Sequence, residues 1–157
     1  MSEQANQLET LFDQAANARE AGDLKRAVEV LWEAVVLEPR AALSHLSLSM
    51  ALSEIGDYAQ AIDAAGEACR LAPQSAAAFY TRARAQRLAG KLEEALGDFD
   101  QALTLRPIYA DAYYERALTL GALNRQAEAI EALKAGLVCA PRHEGLKALA
   151  RRLTSPA

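Results

Sequence analysis

Four prolines recur at a fixed interval in this chain of 157 residues, each 34 residues after the one before it. A glycine series ending in asparagine and an alanine series keep the same interval. The three sets are Pro39, Pro73, Pro107 and Pro141; Gly22, Gly56, Gly90 and Asn124; and Ala27, Ala61, Ala95 and Ala129. Self-similarity at such a period is typical of repeat architectures. The sequence therefore predicts an array of four units.

Each unit is predicted to be a pair of α-helices. The chain is 52% hydrophobic but only 6% aromatic, a balance that suits alanine-rich, close-packed helices. The glycine position separates two helical stretches, and the proline ends the second because it cannot continue a helix. We expect the glycines to adopt left-handed backbone, and Asp23 and Asp57 to cap the helices that follow. Lys91 and Arg125 at the equivalent positions provide no such cap.

Small residues recur where the two helices of a pair would approach most closely. Besides the alanine series above, they are Ala34, Ala68, Ala102 and Gly136. A larger side chain there would force the helices apart, at a cost of about 1–3 kcal/mol each. After the last proline, residues 143–153 put leucines on one face and basic residues on the other. This pattern predicts a C-terminal capping helix.

Charge and composition argue against several classes of partner. The net charge is −4 and the sequence pI is about 5.3, which is not typical of a phosphate-binding surface, so no nucleic acid ligand is expected. The N-terminus is polar and no membrane-length apolar run occurs, so we expect neither a signal peptide nor membrane association.

Cys69 and Cys139 are isolated thiols, interpreted as buried, reduced residues of a cytoplasmic protein.

The third unit, AAAFYTRARAQRLAGKLEEALGDFDQALTLRPIY, resembles the tetratricopeptide repeat. The matching residues are Phe79, Ala83, Gly90, Ala95, Phe99, Ala102 and Pro107. The resemblance extends over about residues 8–143, although the family's usual tryptophan is replaced by Leu11, His45, Phe79 and Tyr113 in the four units. It implies an all-α, right-handed α-solenoid of stacked antiparallel helix hairpins. Repeats at about 8–41, 42–75, 76–109 and 110–143, with the capping helix, would form a single domain over residues 1–157.

The resemblance also implies a concave groove lined by the first helix of each pair. The family's groove positions carry apolar, aromatic and arginine side chains here, which suit recognition of a protein or peptide. The predicted groove residues are Phe12, Leu43, Leu46, Met50, Tyr80, Arg84, Arg87, Tyr114 and Leu118. We expect an extended or helical ligand whose acidic end lies near Arg84 and Arg87. The leading interpretation is an adaptor.

One subgroup of the family grips the C-terminal carboxylates of heat-shock chaperones with lysines, asparagines and an arginine. In one frame of that motif this chain has Phe12, Ala16, Ser47, Ala77 and Thr81, and in the other it has Leu46, Met50, Thr81, Asp111 and Glu115. Neither frame provides the carboxylate clamp. Chaperone C-termini are therefore not expected to bind in this way.

The alternative to an adaptor is a scaffold that assembles with itself. Val30, Trp32 and Val36 make the outer helix of the first unit unusually apolar, and such patches often mark interfaces. The patch would then support a homo-oligomer, or local side chains would cover it.

Other polar residues fit structural roles better than chemical ones. Arg82 and Arg116 occupy equivalent positions, with Asp98 and Asp100 on the intervening helix, so structural ion pairs are expected. The sequence contains no grouped nucleophile and base, no metal-spaced cluster and no phosphate-binding loop. We therefore predict no enzymatic activity, no metal and no cofactor.

Overall fold

The computed structural model describes residues 3–154, and these residues form nine α-helices and no β-strand. The helices are α1 (Glu3–Glu20), α2 (Leu24–Leu37), α3 (Ala42–Glu54), α4 (Tyr58–Leu71), α5 (Ala76–Leu88), α6 (Leu92–Leu105), α7 (Ala110–Ala122), α8 (Gln126–Cys139) and α9 (Glu144–Thr154). The all-α fold class is confirmed.

The chain divides into two compact units, Met1–Gln74 and Ser75–Ala157. In the N-terminal unit, α1 packs on α2 and α3 on α4 as helix hairpins, and α2 also packs on α3. In the C-terminal unit the hairpins are α5 with α6 and α7 with α8, α6 packs on α7, and α9 packs on α7 and α8. Stacked hairpins, the predicted element of the fold, are thus present within each unit.

The turn inside each hairpin has the predicted left-handed backbone. The φ angles are +77° at Gly22, +83° at Gly56, +79° at Gly90 and 59° at Asn124. A Cβ atom on any of the three glycines would meet nothing within 4 Å. The requirement for glycine there is therefore one of backbone conformation and not of space. Asparagine is among the few other residues that tolerate this conformation.

The helix caps also follow the sequence. The Asp23 Oδ1 atom accepts the Arg26 backbone N–H at 3.0 Å, and Asp57 Oδ1 accepts that of Gln60 at 3.1 Å. No side-chain hydrogen bond caps α6 or α8, which begin after Lys91 and Arg125. The prediction that only the first two turns carry a side-chain cap is confirmed.

Small residues line the helix contacts as predicted. Ala34, Ala68 and Ala102 are fully buried. A Cβ atom on Gly136 would lie 2.8 Å from Tyr113 Cβ and 3.0 Å from Leu146 Cδ1. Because real Cβ contacts are longer than this, α8 can approach α7 and α9 so closely only with glycine at that position.

The apolar face of α9 is part of the core of the C-terminal unit. Leu146 and Leu149 are buried in a cluster with residues of α6, α7 and α8, and Ala150 and Leu153 pack partly against it. The cluster comprises Leu96, Ala117, Leu120, Ala129, Ala132, Leu133, Leu146 and Leu149. This helix therefore covers apolar surface that the last hairpin would otherwise expose.

The two cysteines differ in their surroundings. Cys69 is buried, as predicted. The prediction was wrong for Cys139, which is only partly buried because it lies in the last turn of α8, where its Sγ atom contacts the Pro107 carbonyl oxygen at 3.6 Å.

Candidate binding surfaces

The first helices of the N-terminal unit form a small pocket between α1 and α3. It has a volume of about 220 Å³ and brings Phe12 together with Met50. Its lining residues are Phe12, Ala15, Ala16, Arg19, Leu31, Ser47 and Met50. Leu43 and Leu46, the other two predicted residues of this unit, are not among them; Leu43 is exposed and Leu46 partly buried. The pocket could hold one apolar side chain of a ligand.

One charged residue of this pocket is already paired. Arg19 makes two hydrogen bonds to the carboxylate of Glu54, one of them from Nε to Oε2 at 3.0 Å. The pKa of Arg19 is raised, mainly by this hydrogen bond. The ion pair joins α1 to the end of α3 and leaves the pocket itself mostly apolar.

In the C-terminal unit, Tyr80 lies in a cluster of aromatic rings and arginines. Its ring centroid is 4.8 Å from that of Tyr109 and 6.1 Å from that of Phe99. The guanidinium carbon of Arg84 lies 5.9 Å from the Tyr80 ring centroid, and that of Arg106 lies 4.8 Å from the Tyr109 ring centroid. Burial raises the pKa of both tyrosines, so both hydroxyl groups keep their protons to a higher pH than an exposed tyrosine would. Sequence reasoning did not include Tyr109.

Arg84 and Arg87 share one carboxylate, that of Glu115 on α7. The Arg84 Nε atom lies 3.4 Å from Glu115 Oε1, and the Arg87 Nε atom lies 2.8 Å from Glu115 Oε2. Glu115 is only 8% exposed. Both Nε atoms and Glu115 Oε2 are buried and make no hydrogen bond of acceptable geometry with any described residue. The three side chains together carry one net positive charge.

The last two predicted groove residues, Tyr114 and Leu118, also lie on α7. The Tyr114 ring centroid is 6.1 Å from that of His143, whose Nε2 atom lies 3.1 Å from Asp111 Oδ1. His143 Nδ1 accepts the backbone N–H of Leu146 at 3.1 Å. Leu118 packs partly against the core cluster of this unit. Asp111 lies about one repeat before His143 in the sequence, so the two side chains meet only in the fold.

The predicted self-association patch is only partly at the surface. Trp32 is 43% exposed and Val36 is 76% exposed, but Val30 is 1% exposed and cannot belong to a surface patch. Val30 lies three residues after Ala27 and four before Ala34, so it shares their buried face of α2. The prediction for Val30 was therefore wrong.

Trp32 and Val36 line a larger pocket between α1 and α2. Its volume is about 640 Å³. The lining residues are Gln7, Thr10, Leu11, Trp32, Glu33, Val36 and Leu37. Apart from Glu33, Gln7 and Thr10, these side chains are apolar, so the pocket suits a hydrophobic ligand group.

Both predicted structural ion pairs are confirmed. Arg82 Nε and Nη2 each lie 2.6 Å from a different oxygen of Asp98. Arg116 Nε lies 2.7 Å from Asp100 Oδ1. These pairs link neighbouring helices inside the C-terminal unit.

Within residues 3–154, His, Cys, Asp and Glu side chains nowhere form a group of three or more that could hold a metal ion. The helices of that part of the chain include none with the length and apolar character needed to cross a membrane.

Two family models match this chain, one in each half of the sequence. The model of the tetratricopeptide repeat matches residues 12–76, and a second TPR repeat model matches residues 83–124. A search of curated protein sequences gave no significant match.

Solved structures with the same fold have low sequence identity to this chain. MamA 41-end from Desulfovibrio magneticus RS-1 has a TM-score of 0.80 at 18% identity, covering 94% of this chain and 83% of that MamA chain. The first TPR of Spaghetti (RPAP3), bound to the HSP90 peptide SRMEEVD, has a TM-score of 0.69 at 24% identity, covering 72% and 90%. An O-GlcNAc transferase mutant from Thermobaculum terrenum has a TM-score of 0.78 at 22% identity, covering 87% of this chain but only 27% of the transferase. With matches in both compact units and hairpins of the expected period, the chain belongs to the tetratricopeptide repeat family.

Proposed function

We propose that this protein is a cytoplasmic, non-enzymatic adaptor that binds a peptide or helix of a partner protein through the first helices of its hairpins. Tetratricopeptide repeats act in general as protein-interaction modules, which supports the class of function. Cys69 and Cys139 are thiols and are not joined in a disulfide, which supports a reducing compartment. The observation that carries the proposal is the cluster of Tyr80, Arg84, Arg87 and Glu115 in the C-terminal unit.

The charges of this cluster favour an acidic ligand. Two guanidinium groups share one buried carboxylate, so one positive charge is not neutralised by the group itself. Arg84 is also the more exposed of the two arginines. A ligand carboxylate can therefore pair with it, and charge-assisted hydrogen bonds to guanidinium are among the stronger polar contacts in proteins.

Aromatic groups beside the arginines favour an apolar side chain next to that carboxylate. Tyr80 is partly buried against Phe99 and Tyr109, so its ring is held in place before a ligand binds. Rigid aromatic side chains lose little conformational entropy on binding and frequently dominate interface energetics. We therefore infer a ligand with an acidic residue and a neighbouring large apolar residue.

A pull-down with wild type and with a Tyr80→Ala, Tyr114→Ala variant would identify the partner, and the charge model is then tested on its peptide. Replacing both arginines by glutamate would place two new carboxylates against that of Glu115. The test variant therefore carries Arg84→Gln, Arg87→Gln and Glu115→Gln together. We expect at least a tenfold weaker affinity, about 1.4 kcal/mol, and a smaller salt dependence. An Arg142→Glu, Arg152→Glu control should bind normally. Unchanged affinity of the triple variant would exclude the charge model.

The HSP90 peptide SRMEEVD serves as a negative probe in the same assay. The first frame of the clamp motif has Phe12, Ala16, Ser47, Ala77 and Thr81, and neither this frame nor the second one contains a lysine or arginine to pair with a carboxylate. If this peptide bound with micromolar affinity, and a change of Phe12 or Ser47 abolished the binding, the conclusion that the chain has no carboxylate clamp would be contradicted.

A self-assembling scaffold is the second candidate, and it would use Trp32 and Val36. Helices α1 and α2 carry six acidic and three basic residues. A symmetric dimer formed through this patch would therefore place the acidic regions of its two copies opposite each other. Like charges opposite one another weaken association. Light scattering separates the candidates, since the adaptor requires only a monomer.

A further inference from the structure

At one position of the repeat, the burial of the side chain shows whether the preceding helix covers the hairpin. This position is Thr10 in α1, and the equivalent residues are Ser44 in α3, Ala112 in α7 and Leu146 in α9. Ser44, Ala112 and Leu146 are fully buried. Thr10 is exposed. The same face of the repeat is therefore closed in these three later helices and open in α1.

In each of these cases the covering element is an α-helix. Within the N-terminal unit α2 packs on α3, and within the C-terminal unit α6 packs on α7. Leu146 of α9 lies against α8, at the surface of Gly136. The face that includes Thr10 thus has the shape that, elsewhere in this chain, receives the second helix of a hairpin.

The open face is also more apolar than its equivalents. It contains the 640 Å³ pocket, in which Leu11, Trp32 and Val36 contribute apolar surface. The residues that correspond to Trp32 and Val36 are Gly66 and Arg70 in the second repeat, Asp100 and Thr104 in the third, and Lys134 and Val138 in the fourth. Valine recurs at this position in the fourth repeat, but tryptophan does not recur in any other repeat, so Trp32 with Val36 beside it points to an occupant.

Charge indicates what kind of helix fits. Acidic residues outnumber basic ones six to three on α1 and α2. Two of the three basic residues are engaged: Arg19 bonds to Glu54, and Arg26 lies 3.1 Å from Glu29 and 3.8 Å from Glu33. Glu33 lines the pocket itself. The rim of the pocket therefore complements a basic ligand.

We propose that this pocket binds a basic amphipathic α-helix of a partner protein. The apolar face of that helix packs on Leu11, Trp32 and Val36, and its lysines or arginines lie beside Glu33. The site is separate from the surface of the proposed function. Among the described helices, α9 is basic and amphipathic, but it already buries Leu146 and Leu149 in its own core. A second copy of the chain is therefore a poorer occupant than a different protein.

Trp32 makes the proposal directly measurable, because it is the only tryptophan in the chain. Two synthetic helical peptides of about 18 residues, roughly 27 Å long, would share the same leucine face and carry either lysines or glutamates on the other face. The lysine peptide should shift Trp32 emission to shorter wavelength in a saturable manner. The glutamate peptide should bind at least tenfold more weakly.

Variants locate the site and test its charge. Val36→Gln should weaken the lysine peptide by roughly tenfold, because apolar contact is lost. Val138→Gln is the matched control, since Val138 is the equivalent residue of the fourth repeat and is 82% exposed. Glu33→Lys should reverse the preference between the two peptides. A purely structural role of Glu33 would not produce that reversal.

Three results would overturn the proposal. The first is an emission spectrum that does not change up to about 1 mM lysine peptide. The second is an equal effect of Val36→Gln and Val138→Gln, which would move binding away from the pocket. The third is a concentration-dependent dimer in sedimentation that Val36→Gln abolishes, because a second copy would then occupy the pocket. Binding at the Tyr80, Arg84, Arg87 and Glu115 cluster is measured in a separate assay. A negative result there would not change the interpretation of these three results.

Discussion

Two ion pairs of the C-terminal unit have the same spacing in the chain but different environments. Arg82 and Asp98 are 16 residues apart, as are Arg116 and Asp100. The Asp98 side chain is 11% exposed and makes two short hydrogen bonds to its arginine, whereas the Asp100 side chain is 58% exposed and makes one. We expect the buried carboxylate to contribute more to the free energy of unfolding than the exposed one, because water screens the exposed pair.

Replacing the two aspartates one at a time tests this difference. Asp98→Ala should lower the free energy of unfolding by about 2–3 kcal/mol, since it leaves the partly buried Arg82 charge without this carboxylate. Asp100→Ala, the matched control, should cost less than about 1 kcal/mol. Urea denaturation measures both. Equal losses would mean that burial does not set the value of these pairs.

At single residues, the sequence predicts contacts that the repeat register determines and misses those that side-chain packing determines. Arg82 and Asp98 could be paired because the repeat places them on adjacent helices at equivalent levels. The pairing of Glu115 with both Arg84 and Arg87 was not predicted, because it depends on the rotamers of three long side chains. Val30 was misassigned because an apolar residue beside Trp32 gives no signal of which neighbouring helix covers it.

At the level of helices, most of the pattern was predictable from the period and the turn chemistry. Glycine or asparagine at the left-handed position ends the first helix of each hairpin, and proline marks the end of the second. The start of the array was less predictable. Helix α1 begins at Glu3, before the expected repeat start at about residue 8, and Gln4 Nε2 donates a hydrogen bond to the Leu37 carbonyl oxygen. The 34-residue period contains no information about such an extension.

The close contact at Gly136 gives a test of helix packing. Gly136→Ala should lower the free energy of unfolding by about 1–3 kcal/mol, because the added methyl group would overlap Tyr113 and Leu146. Gly97→Ala in α6 is the matched control. Its added Cβ would meet nothing within 4 Å, so better helix propensity should stabilise the protein by up to about 1 kcal/mol. Thermal and urea unfolding would measure both, and opposite signs are required.

For the whole molecule, the repeat explains the fold, and departures from the repeat explain the candidate binding surfaces. Every hairpin has small residues at the helix contacts and a left-handed residue in its turn, yet only the first has tryptophan together with valine at its outer face, and only the third has arginine at both of the positions of Arg84 and Arg87. The two halves also differ in charge: residues 1–75 contain 5 Lys/Arg and 12 Asp/Glu, against 12 and 9 in residues 76–157. Ligands of opposite charge are therefore expected at the two surfaces.

Stability should likewise be distributed along the chain according to which helices touch. In repeat proteins each element gains most of its stability from its neighbours, and α9 packs on α7 and α8. Leu146→Ala should cost about 3 kcal/mol through the cavity it leaves in their shared core. Amide hydrogen exchange should then accelerate in α7, α8 and α9 and stay unchanged in α1 and α2. Val138→Ala, at an exposed position of α8, is the control. A uniform loss of protection along the chain would show that it unfolds as one cooperative unit and would contradict the nearest-neighbour model.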